Sequence, residues 1–220
     1  MSGARIELLL VRHGNTFGPG DRVSWVGRGE DLPLVESGRA QARALGATLR
    51  DAGWSPTAAV SGALARQTEH LAIATGGAPA PRVDERLDEV DYGAWGGLTT
   101  AEIEERFGPE SVAAWNERSE VPTGAGWPEG RRDLEARASV FAAEVASGAL
   151  GERVLACSSN GLLRWFLGLM DGALERAIAE GGFKVRTGHY GVLIFEPADG
   201  RWRLAAWNVP PSEALSAALQ

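Results

Sequence analysis

The sequence predicts an α/β fold of three layers, a mostly parallel sheet with helices on both faces, formed as one domain over residues 1–220. Three observations predict it. An unbroken apolar run, Ile6 and Leu8 to Val11, stops abruptly at Arg12, His13, Gly14 and Asn15, as a strand buried on both faces does where it leaves a parallel sheet. The order of apolar strand, polar turn and helix returns at residues 57–75 and again from residue 154, the pattern of strands joined by helical crossovers. A chain of 220 residues can also bury roughly 70% of its unfolded surface, so the fold needs neither disulfides nor metals.

Taken in order, the first strand gives way to residues 17–36, rich in Gly, Pro and charge, which read as a long surface loop. Loops of that length in compact domains tend to carry function. Ser37 is placed to cap a helix running to about Ala52, with Ala40, Ala44, Leu45 and Leu49 on one face and Gly53 as its stop. Residues 57–61 form a short apolar strand, and the helix after it carries Arg66 in its first turns. Residues 108–130 hold Pro109, Trp115, Pro122, Trp127 and Pro128 among glycines. They read as an insertion of short helix plus loop lying across the carboxyl edge of the sheet like a lid.

From about Arg131 to Gly148 a helix presents Leu134, Ala138, Phe141, Ala142 and Val145 to the sheet. Residues 190–196 and 201–207 make a terminal hairpin joined through Ala198, Asp199 and Gly200. Residues 209–220 then read as a short helix, a candidate contact for a second copy of the chain in a homodimer.

Charge and composition narrow the function. A net charge of −7 argues against a nucleic-acid surface or a polybasic membrane patch, so any cationic site must be local. The lone cysteine, Cys157, excludes an internal disulfide framework and suits a reducing compartment, the cytoplasm. The first apolar run is too short for a secretory signal, and no stretch approaches the ~18 apolar residues of a membrane span. His13 has no histidine or carboxylate at metal-ligand spacing, so neither metal nor cofactor is expected.

Chemistry concentrates after the first strand. In an open α/β sheet, ligands sit in the crevice beyond the carboxyl ends of the strands, and Gly14 permits the tight turn there. Arg12 offers a fork of donors suited to a phosphate dianion, and a neutral imidazole on His13 is a competent nucleophile near neutral pH. Arg66 sits at the equivalent turn of the next strand-helix unit, near enough to join Arg12 around one anion. The pattern points to phosphoryl transfer.

LVRHGNT, LPLVESGRAQA, VSGALARQ and LDEVDYGAWGGLT, in that order over residues 8–99, resemble the successive signature blocks of the histidine phosphatase superfamily, the phosphoglycerate-mutase-like fold. The resemblance implies that His13 is the phosphorylated histidine and that Arg12 and Arg66 hold the phosphoryl oxygens. It also implies Asn15 as a phosphate contact and Glu89 as the proton donor; Asp91, in the same acidic run, is the reserve acid on position alone. The implied ligand is a small-molecule phosphate ester.

One block departs from the pattern. VLACSSNGLLRWFL, residues 154–167, resembles the block in which a second histidine donates to the phosphoryl group, and this chain has Ser159 at that position. Serine can donate one neutral hydrogen bond, so Ser159 is expected to bind phosphate weakly, with His189 as the candidate replacement for the missing cation. His70, the third of three histidines, reads as a surface residue on its helix. Cys157 and Arg164 resemble a cysteine-phosphatase loop, but with six residues between them and the cysteine inside a strand, they do not fit one.

The expected activity is therefore metal-independent phosphomonoester hydrolysis, with Trp25, Trp115 and Trp127 as candidate walls for an apolar leaving group. Two rivals stand beside it. One is mutase-type transfer, for which Arg118, Arg131 and Arg132 could hold a second phosphate. The other is a catalytically weak phosphate binder.

Overall fold

The computed structural model describes residues 4–219. Six strands form one sheet in the order β3-β2-β4-β1-β5-β6. They are β1 (Ile6–Arg12), β2 (Ala58–Ser61), β3 (Arg82–Val83), β4 (Arg153–Ser158), β5 (Tyr190–Glu196) and β6 (Arg201–Val209). The first four run parallel to one another, while β5 pairs antiparallel with β1 and β6 antiparallel with β5. The fold is thus mixed α/β with a mostly parallel central sheet.

Strand periodicity divides the core in two. Leu8 and Leu10 of β1, Val154 and Ala156 of β4 and Leu193 of β5 pack on one face. Leu9, Val11, Leu155, Cys157, Val192 and Ile194 pack on the other, because successive side chains of a strand point to opposite faces. The first face is covered by α5 (Arg131–Ala146) through Leu134, Ala138 and Phe141, and by the segment after β4, α6 (Asn160–Leu163) with a 3₁₀ turn over Arg164–Leu169. The second is covered by α1 (Glu36–Asp51) and α2 (Ala65–Thr75).

Two close approaches explain glycines inside α1. A Cβ on Gly38 would lie 2.2 Å from the Asn15 carbonyl oxygen, and one on Gly46 would lie 2.7 Å from that of Ala74. Backbone therefore meets backbone where α1 crosses the turn after β1 and where it crosses α2.

Several details differ from the sequence reading. Helix α1 starts at Glu36 behind Val35, with no side-chain cap. Ser37 lies inside the first turn, its hydroxyl accepting from Asn15 Nδ2 at 3.2 Å. The segment before residue 108 is helical, α3 (Thr100–Phe107), and begins at a capping box of Thr99 and Glu102; the T-x-x-E spacing was the available signal. Residues 108–130, expected as a short helix plus loop, open with α4 (Pro109–Arg118). The chain then continues through α7 (Ala173–Ala179) to the hairpin β5-β6 and ends with α8 (Leu215–Ala218). Leu215, 1% exposed, sits in the second core cluster, so this part of the C-terminal segment packs on its own chain.

Among the described residues, no helix is long and apolar enough to cross a membrane.

Candidate active site

The carboxyl ends of β1 and β4 lie side by side, and the ladder continues one step beyond them, His13 N–H donating to Ser158 O at 3.1 Å. A cavity of about 390 Å³ opens there. Its wall includes Arg12, His13, Asn15, Arg66 and Glu89, five residues contributed by β1 and its turn, α2 and the segment after β3.

His13 is 6% exposed. Its Nδ1 lies 2.8 Å from the carbonyl oxygen of Gly14. A carbonyl only accepts, so Nδ1 carries the proton and Nε2 keeps its lone pair. Burial, reinforced by the Arg12 and Arg66 cations, holds the imidazole pKa well below the ordinary value. The ring is therefore neutral, in one tautomer, and nucleophilic at Nε2. A Cβ on Gly14 would lie 2.4 Å from Gly38 O, so only glycine fits the turn that places this ring.

Both arginines are anchored to backbone carbonyls. Arg12 Nη1 donates to Val185 O at 2.9 Å, and its Nε is buried without a partner. Arg66, 2% exposed, donates from Nη1 to Glu30 O at 2.9 Å and from Nη2 to Gly27 O at 2.7 Å, which fastens the long first loop over α2. Neither forms an ion pair with a described carboxylate. One buried and one half-buried guanidinium on the same wall, neither in an ion pair, make a candidate anion site.

Glu89 is 7% exposed and accepts from its neighbour's amide, Val90 N to Oε1 at 2.9 Å. Asp91, the reserve acid, accepts from Gly93 N instead and is not on the cavity wall. Asn15 is held on both sides of its carboxamide, Oδ1 accepting from Thr187 Oγ1 at 2.5 Å and Nδ2 donating to Ser37 Oγ. Gln41 clamps the same pair, accepting from Asn15 N at 2.9 Å and donating to Thr187 O at 3.0 Å.

Two expected residues are not brought to the cavity. Ser159 is wholly buried, its hydroxyl accepting from Gln67 Nε2 at 3.1 Å, and it does not border the open space. His189 turns toward β6, its Nδ1 donating to Asn208 O at 3.0 Å, because it lies where the chain enters β5 and its side chain faces the hairpin partner. It is not placed to replace a phosphate-facing cation.

His70 is the reverse case. It is 0% exposed rather than superficial, and its Nδ1 accepts from Gly14 N at 3.1 Å. Burial lowers its pKa to about 4. Its position one helical turn after Arg66, on the same face of α2, was the signal.

The cavity wall also carries aromatic side chains. Trp25 from the first loop, Tyr92 and Trp115 border it, with Phe17, Val23 and Val26. Trp25 meets Tyr92 edge-on at 5.2 Å. Trp127, expected as a wall, lies behind it, 4.8 Å from Trp115 and 4.9 Å from Tyr92 between centroids. Arg164 stacks on Trp115 at 4.1 Å, so the wall is braced from within. Cys157 is buried in β4, where burial pushes its thiol pKa up, and it does not border the cavity. Among the described residues no three His, Cys, Asp or Glu side chains converge to hold a metal ion.

A family profile described as histidine phosphatase superfamily (branch 1) matches residues 8–210. The chain is 31% identical over 194 residues to a 2,3-bisphosphoglycerate-dependent phosphoglycerate mutase of Methylobacterium radiotolerans, covering 82% of this chain and 85% of that protein. A mycobacterial glucosyl-3-phosphoglycerate phosphatase has a similar structure, with a TM-score of 0.74 at 27% identity over 94% of this chain and 100% of that one. That enzyme is also known in complex with inorganic phosphate, with a TM-score of 0.70 at 27% identity over 94% of this chain and 99% of that one. The α-ribazole phosphatase of Shigella flexneri shares the fold, with a TM-score of 0.72 at 20% identity, over 93% of this chain and 97% of that one.

Proposed function

Because the chain belongs to the histidine phosphatase superfamily, we propose that it is a metal-independent phosphomonoesterase acting through a phosphohistidine on His13, on esters whose leaving group is uncharged and apolar. The observation that carries this reading is one cavity wall holding two arginines without ion pairs, an imidazole with a free Nε2, and the carboxyl of Glu89. In the first step Nε2 attacks phosphorus and the bond to the ester oxygen breaks. The oxygen leaves with the electron pair and takes the proton of Glu89. In the second, water attacks phosphorus, gives its proton to Glu89 and releases His13 with inorganic phosphate. Arg12 and Arg66 neutralise the non-bridging oxygens, where charge concentrates in a loose transition state.

The 31% relative favours a second reading, mutase-type transfer to a phosphoglycerate. That reaction requires cations for the carboxylate and second phosphate of its substrate. Arg118 is instead paired with Glu110 and Glu120, and Arg131 with Glu135 and Glu175. Neither they nor Arg132 border the cavity, whose wall includes Trp25, Tyr92 and Trp115. Hydrolysis fits better.

The test is release of p-nitrophenol from p-nitrophenyl phosphate between about pH 5 and 8, with EDTA, by wild type and His13→Ala. Metal-independent turnover that vanishes in His13→Ala is expected. Transfer to added 3-phosphoglycerate in place of phosphate release would favour the mutase. Absence of turnover with phosphate still bound would leave a binder.

A further inference from the structure

We propose that Asn160 is a catalytic residue, donating from Nδ2 to a non-bridging oxygen of the phosphoryl group beside Arg12. The catalytic part rests on the phosphatase reading, whereas the phosphate contact does not. Asn160 borders the cavity, although its neighbour Ser159 does not. Its Oδ1 accepts from Val185 N at 3.0 Å. That bond fixes which end of the carboxamide is oxygen, since the amide needs an acceptor, and leaves Nδ2 as the free end. Nδ2 has no protein partner among the described residues and is not sealed from solvent. The open space the residue borders is the cavity.

Val185 supplies the geometry. The wholly buried residue donates to Asn160 and accepts from Arg12 Nη1 at 2.9 Å. One fixed backbone unit therefore aligns the Asn160 carboxamide with the Arg12 guanidinium. On its other side the chain presses against the acid, since a Cβ on Gly161 would lie 2.5 Å from Glu89 Oε1. Asn160 is thus flanked by a phosphate-facing cation and the carboxyl that serves the leaving oxygen. With its oxygen turned to Val185, the carboxamide presents its NH2 donors to the cavity, which is what an anion at that point requires.

Because the donor is neutral, it adds a hydrogen bond without a titrating group. It takes the place that the sequence assigns to Ser159 and that His189 is turned away from. The one-residue offset arises at the turn between β4 and α6. Ser159, in extended conformation, points inward to Gln67, and Asn160 begins the helix facing the crevice.

Two variants separate donation from mere scaffolding. Asn160→Ala removes both contacts. Asn160→Asp keeps an oxygen for Val185 N–H, and so the Arg12 anchor, but replaces the donor with an anion. We would measure inorganic phosphate binding by calorimetry and p-nitrophenyl phosphate kinetics, with melting curves as the check on folding. The expected result is a ~10- to 100-fold loss of phosphate affinity in Asn160→Ala. Asn160→Asp should lose at least as much, with kcat falling more than KM rises. Phosphate binding and kcat of Asn160→Asp within about threefold of wild type would overturn the proposal, whatever Asn160→Ala does, because scaffolding alone would then explain the residue. If wild type binds phosphate without turnover, the phosphatase reading fails and with it the catalytic role. Weakened phosphate binding in both variants would still uphold the contact.

Discussion

Acidification from pH 7 to pH 5 should destabilise this protein through His70, and the size of the effect follows from its burial. The imidazole is 0% exposed, and its one hydrogen bond among the described residues, from Gly14 N–H to Nδ1, requires the neutral ring. Its pKa is about 4 in the folded chain against an ordinary 6.5. The unfolded chain therefore binds the proton first, so the contribution to stability is complete above 6.5 and is lost as pH falls toward 4. Linkage over that window gives a loss of roughly 2 kcal/mol between pH 7 and pH 5, and about 3 kcal/mol by pH 4.

The assay is urea unfolding at pH 7, 6 and 5 for wild type and His70→Asn, whose side-chain oxygen can still accept from Gly14 N–H. The variant is expected to be less stable at pH 7, where it leaves a small void, but to lose roughly 2 kcal/mol less on going to pH 5. His13 contributes with the same sign in both proteins and cancels in the difference. Identical pH dependence in the two would refute the argument.

Three further outcomes are expected. Gly14→Ala should cost ~1–3 kcal/mol in denaturant titration and abolish turnover, since the added carbon meets the Gly38 backbone at 2.4 Å and the turn holding His13 must shift. Glu89→Gln should slow hydrolysis of an alkyl phosphate ~10²- to 10⁴-fold while affecting p-nitrophenyl phosphate far less, because only the poor leaving group needs a proton. Equal losses on both esters in steady-state assays would remove Glu89 from the acid role. Trp25→Ala should raise KM for aryl phosphates about tenfold and leave a small hydrophilic ester little changed, because Trp25 borders the cavity and packs edge-on against Tyr92.

The sequence by itself determined the sheet and the address of the site. The run Leu8–Val11 makes a doubly buried strand, and its stop at Arg12-His13-Gly14 puts those residues at the carboxyl edge. The repeat of the pattern delivers Arg66 to the same edge. These properties depend on periodicity and on residues adjacent along the chain, so they are written locally.

What only the tertiary structure decided is which polar atom faces which. Ser159 and Asn160 are neighbours in sequence, yet one is sealed against Gln67 of α2 and the other borders the cavity through its bond to Val185, 25 residues away. His70 is buried and accepts from the N–H of Gly14, 56 residues earlier, and His189 bonds Asn208 across a hairpin. Arg66 is unpaired because loop carbonyls, not carboxylates, hold it. Side-chain direction at a strand-to-helix turn, and the partner each donor finds, are set by elements distant along the chain. A buried polar group must be satisfied by whatever those elements bring to it.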